Sequence, residues 1–130
     1  MRGAKAYSGI DPFTGAGRTI YVSSGIIQST EPCVSEDLPV LSPSLIDLQV
    51  NGYNGHDLND GHLKADKVEA LSKALCRVGV AAYLPTLITA AETDICSRLH
   101  AVQEAVETFP YSRQMIAGVH IEGPSISSKD

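Results

Sequence analysis

Met115-Ile116-Ala117-Gly118-Val119-His120-Ile121-Glu122-Gly123-Pro124 is the stretch on which the fold turns. Apolar residues lead into a carboxylate, and Gly-Pro then stops any regular element. The stretch reads as a buried strand whose last inward residue is acidic. Strand side chains alternate faces, so His120 and Glu122 share one side while Val119 and Ile121 take the other. A carboxylate is costly to bury unpaired, so Glu122 needs a cation, a proton or a strong donor.

Working back from that strand, the pattern alternates. Ile95, Leu99, Val102, Val106 and Phe109 form a stripe at helical spacing. Thr89 with Glu92 marks the start of that helix, and Pro110 its end. Val80 to Leu87 is a second apolar strand, broken at Pro85. A further helix carries Val68, Leu71, Leu75 and Val78 on one face. Asp66 with Glu69 fits a capping box at its start, and Gly79 fits the residue just past its end. Gly52 to Gly61 reads as a loop. Leu45-Ile46-Asp47-Leu48-Gln49-Val50-Asn51-Gly52 alternates strictly, with Asp47, Gln49 and Asn51 on one side and Ile46, Leu48 and Val50 on the other. From residue 43 the order is therefore strand, helix, strand, helix, strand. That order predicts an α/β fold with a parallel sheet and right-handed crossovers.

The first third of the chain reads differently. Ala4 to Ile10, Arg18 to Val22 and a segment from Ile26 are short strands. The Asp11–Gly17 and Ser23–Gly25 stretches are turns rich in Gly and Pro. Three short strands close no core and need a partner sheet. A polar, proline-bearing linker over 31–39 separates them from the alternating strands and helices. The chain thus divides into residues 1–40, strands of a small β-sandwich with its linker, and residues 41–130, the α/β part.

With 130 residues, 43% hydrophobic and 19% charged, the chain is long enough and apolar enough to bury a core. A net charge of -5 with no basic block argues against nucleic acid or an anionic membrane as partner. No run of apolar residues is long enough to span a bilayer. Cys33, Cys76 and Cys96 are odd in number and form no C-x-x-C pair. With no signal-like start, they read as reduced thiols of a cytoplasmic protein.

Active sites of parallel α/β folds lie at the carboxyl ends of the strands. Asn51, Thr86 and Glu122 stand at three such ends. Glu122 there can be a hard ligand for Zn or a similar divalent ion, or the partner of a buried cation. His120 reads as a hydrogen-bonded core histidine. Gln49 and Asn51 can satisfy buried backbone groups. His56, His62 and His100 lack ligand spacing, and the helix stripes are core packing.

Three segments together resemble the barrel-strand motifs of the N-acetylglucosamine-6-phosphate deacetylase family, within the amidohydrolase superfamily. They are Leu45–Gly52, Tyr83-Leu84-Pro85-Thr86-Leu87-Ile88-Thr89 and Gly118–Pro124, in the family's order and spacing. The Asp11-Pro12 turn and Ser24-Gly25-Ile26-Ile27 resemble its N-terminal sandwich strands less specifically. Ser44 stands where that family usually has Gly.

The resemblance implies the first three strands of a TIM-like (β/α)8 metal-dependent hydrolase barrel, preceded by part of a β-sandwich. It implies removal of the acetyl group from a phosphorylated amino sugar, and Glu122 as the carboxylate metal ligand. Gln49 and Asn51 occupy positions where many amidohydrolases place two metal-binding histidines. Amides lack the imidazole lone pair that Zn favours, so one tight site is expected rather than two. His120, beside Glu122, would help hold the geometry. A whole barrel takes ~250 residues. The chain therefore reads as an N-terminal portion, inactive alone, with the general-base Asp and the remaining ligands beyond Asp130. Other readings are an amidohydrolase for a cyclic amide, which Gln49-x-Asn51 disfavours, and a non-catalytic half-barrel. Open sheet edges make a homo-oligomer the expected state.

Overall fold

The computed structural model describes residues 4–123, and contacts divide the chain into two units, Met1–Pro43 and Ser44–Asp130. Pro124, the second half of the Gly-Pro stop, lies outside the described residues, as does the end of the predicted 41–130 segment.

In the first unit, β1 (Lys5–Ile10), β2 (Gly17–Ser23) and β3 (Ile26–Pro32) form an antiparallel meander in the order β1-β2-β3. The β1–β2 turn is held by Asp11. Its carboxylate accepts from the Phe13 N–H and the Thr14 hydroxyl, both at 2.9 Å. These donors hold the Asp11 carboxyl below its ordinary pKa. Between β2 and β3, Ser24 and Gly25 both take positive φ, as a two-residue hairpin turn requires. Every residue of β3 is exposed.

The second unit is built on a parallel sheet of β4 (Leu45–Val50), β7 (Val80–Leu87) and β8 (His120–Ile121), in the order β4-β7-β8. Helices α1 (Ala65–Arg77), α2 (Glu92–Thr108) and α3 (Pro110–Met115) make the crossovers. Helix α1 buries Val68, Leu71 and Leu75 against Tyr83, Val102 and Ala105. Each fully buried aliphatic there contributes ~1.5–3 kcal/mol. Gly79 sits at φ +89°, and its N–H donates to the Cys76 carbonyl, closing the helix as the sequence predicts. Val78 is half exposed and leaves the stripe one turn early.

Several local expectations are corrected. Helix α1 has no capping box: its N-cap is Lys64, with no side-chain cap bond, and Glu69 points into the core instead. Helix α2 starts at Glu92 rather than at Thr89. Pro110 follows the end of α2, as expected, but it also occupies the first turn of a further helix, α3, where a missing N–H is harmless. The expected strand over 115–124 therefore shrinks to His120–Ile121. One isolated bridge, Tyr83 to Ile116, precedes it.

Pro85 does not break β7. The Tyr83 carbonyl accepts from Ala117 N–H and the Leu87 carbonyl from Glu122 N–H, so these alternate residues face β8. Pro85 lies between them on that side. Its missing N–H falls opposite residues 117–119, where the pairing is interrupted.

Two short strands, β5 (Gly52–Tyr53) and β6 (His56–Asp57), replace the expected plain loop. Asn54 and Gly55 take positive φ between them. Asn-Gly is the strongest short hairpin signal, so this element was present in the sequence. Gly52 is required by space: a Cβ there would stand 2.5 Å from the His56 carbonyl oxygen.

Candidate functional site at the strand ends

The carboxyl ends of β4, β7 and β8 meet at one edge of the second unit. Parallel strands lie ~4.8 Å apart, so groups on β4 and β8 must reach across two spacings. Gln49 and Glu122 do so. Gln49 Nε2 donates to Glu122 Oε1 at 3.1 Å, joining residues 73 apart in sequence. Glu122 is partly buried and Gln49 exposed.

The path of β4 explains why Gln49 reaches. Register slips between Asp47, which pairs with Tyr83, and Val50, which pairs with Pro85. The strand therefore carries an extra residue, a bulge that re-aims the side chains beyond it. Strict alternation fails there: Val50 is 4% exposed, while Ile46 is 69% and Leu48 66% exposed. Asp47 does not offer a free inward carboxylate. Its Oδ1 accepts the Gln49 N–H at 3.1 Å, satisfying the donor that the bulge removes from the ladder.

Asn51 is exposed, and its carbonyl accepts the Leu58 N–H at 2.9 Å. Thr86 is fully buried at the end of β7 and pairs in register with His120. His120 is partly buried. The strand ends thus bring Gln49 and Glu122 into contact and place His120 beside them on β8. No side-chain hydrogen bond ties Asn51 or His120 to Glu122 among the described residues.

Asn59 was not singled out by the sequence reading, which placed it in a loop. Its Nδ2 donates to the Thr86 carbonyl and its Oδ1 accepts from the Ile88 N–H, both at 3.0 Å. Next to it, Asp60 Oδ2 and Lys67 Nζ form an exposed ion pair at 2.6 Å. The Lys67 hydrogen bond, followed by the His62 N–H, holds the Asp60 carboxyl below its ordinary pKa.

Away from the strand ends lies a buried polar cluster. Glu69 is 3% exposed. Its Oε2 accepts from both the N–H and the hydroxyl of Ser112, each at 2.9 Å, and Lys73 Nζ lies 3.3 Å from Oε1. Burial pushes the Glu69 carboxyl up; the Ser112 donors and the Lys73 ammonium outweigh it and leave it below its ordinary value. The Ser72 hydroxyl joins Tyr83 at 2.9 Å and Ser112 at 3.3 Å. Burial, partly opposed by Ser72, pushes the Tyr83 phenol to about 12. These groups tie α1, α3 and β7 together.

Among the described residues no group of three or more His, Cys, Asp and Glu side chains is close enough to hold a metal ion. Glu122 offers one hard oxygen ligand, with Oε1 already oriented by Gln49. A divalent ion needs two or three more ligands. No helix among the described residues is long and apolar enough to cross a membrane.

No family model matches the chain. It is 32% identical over 87 residues to N-acetylglucosamine-6-phosphate deacetylase of Haemophilus influenzae, a match covering 67% of this chain and 22% of that protein. It is 29% identical over 107 residues to N-acetylgalactosamine-6-phosphate deacetylase of Escherichia coli O157:H7, covering 79% of this chain and 28% of that protein. The crystal structure of N-acetylglucosamine-6-phosphate deacetylase from Pasteurella multocida superposes with a TM-score of 0.72 at 22% identity, over 96% of this chain and 36% of that one. The Mycobacterium smegmatis enzyme of the same activity, solved with N-acetyl-D-glucosamine-6-phosphate, gives 0.71 at 15% identity, over 96% and 34%. At such identities the structural likeness speaks for the fold alone. The chain is similar to these deacetylases over most of its own length, and spans about a quarter of the length of the curated relatives it matches.

Proposed function

We propose that this chain forms the amino-terminal part of a metal-dependent deacetylase acting on an N-acetylated hexosamine 6-phosphate. In this reading β4, β7 and β8 are the first three strands of a (β/α)8 barrel. The meander β1–β3 contributes to a β-sandwich, which puts the domain division near residues 40–43. The contact between Gln49 Nε2 and Glu122 Oε1 carries the proposal. It brings the first and third strand ends to one point, as a curved sheet closing into a barrel does.

Glu122 would supply one carboxylate ligand to a single divalent ion, and Zn suits a carboxylate among nitrogen ligands. Gln49 would hold that carboxylate in one orientation by donating to Oε1. Asn51 and His120 would line the same mouth, toward ion or substrate. When bound, the ion would polarise a water and the acetamido carbonyl. The other ligands and the general-base Asp are assigned to chain beyond Asp130, since the relatives are several times longer. A cytoplasmic, self-associating protein fits this reading, with the apolar Ile46 and Leu48 exposed among the described residues.

The similarity to both an N-acetylglucosamine-6-phosphate and an N-acetylgalactosamine-6-phosphate deacetylase keeps two hexosamines in play. The test is acetate release from each sugar phosphate with added Zn, using the complete product of the gene and, in parallel, this 130-residue chain. Turnover is expected from the complete product and none from the chain alone. No release from either sugar by the complete product overturns the deacetylase reading. Turnover by the chain alone overturns the assignment of the missing ligands.

A further inference from the structure

We propose that Asn59 is a positioning residue: its side-chain amide serves as a rung of the parallel ladder at the end of β7, and thereby places Glu122. The register makes the case. Val50 pairs with Pro85, so the next ladder residue on β4's path is Gly52, opposite Leu87. In a parallel ladder, that residue would donate its N–H to the Thr86 carbonyl and accept the Ile88 N–H with its own carbonyl. Gly52 gives up this place because the chain turns there into the β5–β6 hairpin, where Gly52 pairs with Asp57.

Asn59 makes both bonds with one carboxamide. Nδ2 donates to the Thr86 carbonyl and Oδ1 accepts from the Ile88 N–H, each at 3.0 Å. A carboxamide has the same donor and acceptor as a peptide unit, so it can stand in for one. The loop that carries it is itself anchored: the Leu58 N–H donates to the Asn51 carbonyl, and the Leu58 side chain is fully buried.

The consequence lies on the other side of β7. The Leu87 carbonyl accepts the Glu122 N–H at 3.1 Å. Leu87 sits between Thr86 and Ile88, the two residues that Asn59 clamps. With both neighbours held, the Leu87 carbonyl stays aimed at β8 and Glu122 keeps its place against Gln49. Without the clamp, the end of β7 frays and the Glu122 rung is released with it. The purpose of this device rests on the proposed function, but its geometry does not.

Two measurements on this chain test it. In the unsubstituted chain, a scalar coupling across the hydrogen bond between the Ile88 amide nitrogen and the Asn59 side-chain carbonyl carbon is expected; its absence overturns the inference. In Asn59→Asp, which keeps the shape but turns an acceptor toward the Thr86 carbonyl, and in Asn59→Ala, amide hydrogen exchange is compared with the unsubstituted chain. Exchange at Ile88 and Glu122 is expected to accelerate about tenfold or more, with the Leu75 amide in α1 unchanged. A Glu122 amide that keeps its rate while Ile88 accelerates overturns the positioning role. If neither variant folds, the coupling in the unsubstituted chain decides. These readouts need no activity. A complete gene product without deacetylase turnover would sink the functional reading and leave them standing, whereas an unmoved Glu122 amide would sink only the role of Asn59.

Discussion

Glu69→Gln isolates the buried carboxylate from its shape. The variant keeps an oxygen able to accept the Ser112 N–H at the start of α3, so no backbone donor is orphaned. What it loses is charge. Two bonds from Ser112 to Oε2, at 2.9 Å each, fall from charge-assisted to neutral. Bonds to a charged group are worth ~1.5–3 kcal/mol and neutral ones ~1, so each bond weakens by somewhat less than a kcal/mol to about 2. The Lys73 ion pair adds little: the Lys73 side chain is half exposed, and such pairs contribute ~0–1 kcal/mol. Removing a buried charge also removes its desolvation cost, which returns part of the loss. The net expectation is ~1–2 kcal/mol of destabilisation. For a unit of this size that lowers Tm by ~5–15 °C.

The assay is urea and thermal unfolding followed by far-ultraviolet circular dichroism. Acid titration gives the sign independently. The folded-state pKa of Glu69 lies below its ordinary value of 4.5. Its contribution is therefore fully present above pH 4.5 and is lost as pH falls below it through the folded pKa. The unsubstituted chain should lose stability more steeply in that window than Glu69→Gln. Equal stability at neutral pH, together with parallel acid profiles, would refute the assignment of Glu69 as the ionised brace of α3. Lys73→Ala serves as control and should cost under about 1 kcal/mol.

Gly79→Ala should destabilise by ~1–2 kcal/mol, because φ +89° is strained for any side chain although no atom stands within 4 Å of the new Cβ; unfolding in urea reads this. Glu122→Gln should leave the stability of this chain within ~0.5 kcal/mol, since the side chain is partly exposed and tied by one bond. The proposed metal site predicts that in the complete gene product the same change, like Gln49→Leu, weakens binding of added Zn by at least about tenfold, measured by competition with a chelating dye. Tyr83 has a folded pKa raised from 10.0 to about 12. Its contribution is intact below pH 10 and is lost as pH rises from 10 through 12. Tyr83→Phe should remove that alkaline loss, with phenolate absorbance following the titration.

The strand-helix alternation after residue 43 and the meander before it were legible because both are written in hydrophobic period and turn chemistry. Val68, Leu71 and Leu75 are buried where the 3.6-residue stripe places them, and Gly79 ends the helix where a left-handed residue is needed. The resemblance in three strand motifs led to the same deacetylases that the chain proves similar to. The Asn54-Gly55 turn was legible and passed over. Helix α3 was hidden by the double meaning of Pro110, which stops a helix behind it and starts one ahead. Glu69 fitted a capping box with Asp66 by spacing, but its carboxylate serves another helix instead. Only the fold brings Ser112, 43 residues on, within reach.

The remaining misses share one physical cause. Periodicity assumes that each backbone N–H in a strand or helix goes to the regular ladder. Among the described residues it goes to a side chain instead at several places, including Gln49 N–H to Asp47, Ile88 N–H just past β7 to Asn59 and Ser112 N–H to Glu69; these three matter for the fold. Each capture lets the chain depart from its regular path without orphaning a donor. At Gln49 the departure is a bulge, at Ile88 a ladder that continues after its strand has turned away, and at Ser112 a helix start directly after another helix. Two of the three flank the meeting point of Gln49 and Glu122. Apolar pattern carries no record of such captures, because Asp47, Asn59 and Glu69 count only as polar positions in it, whichever backbone group they bind. The strand ends that place the candidate site are therefore where alternation was bound to mislead, while the core beneath them followed it closely.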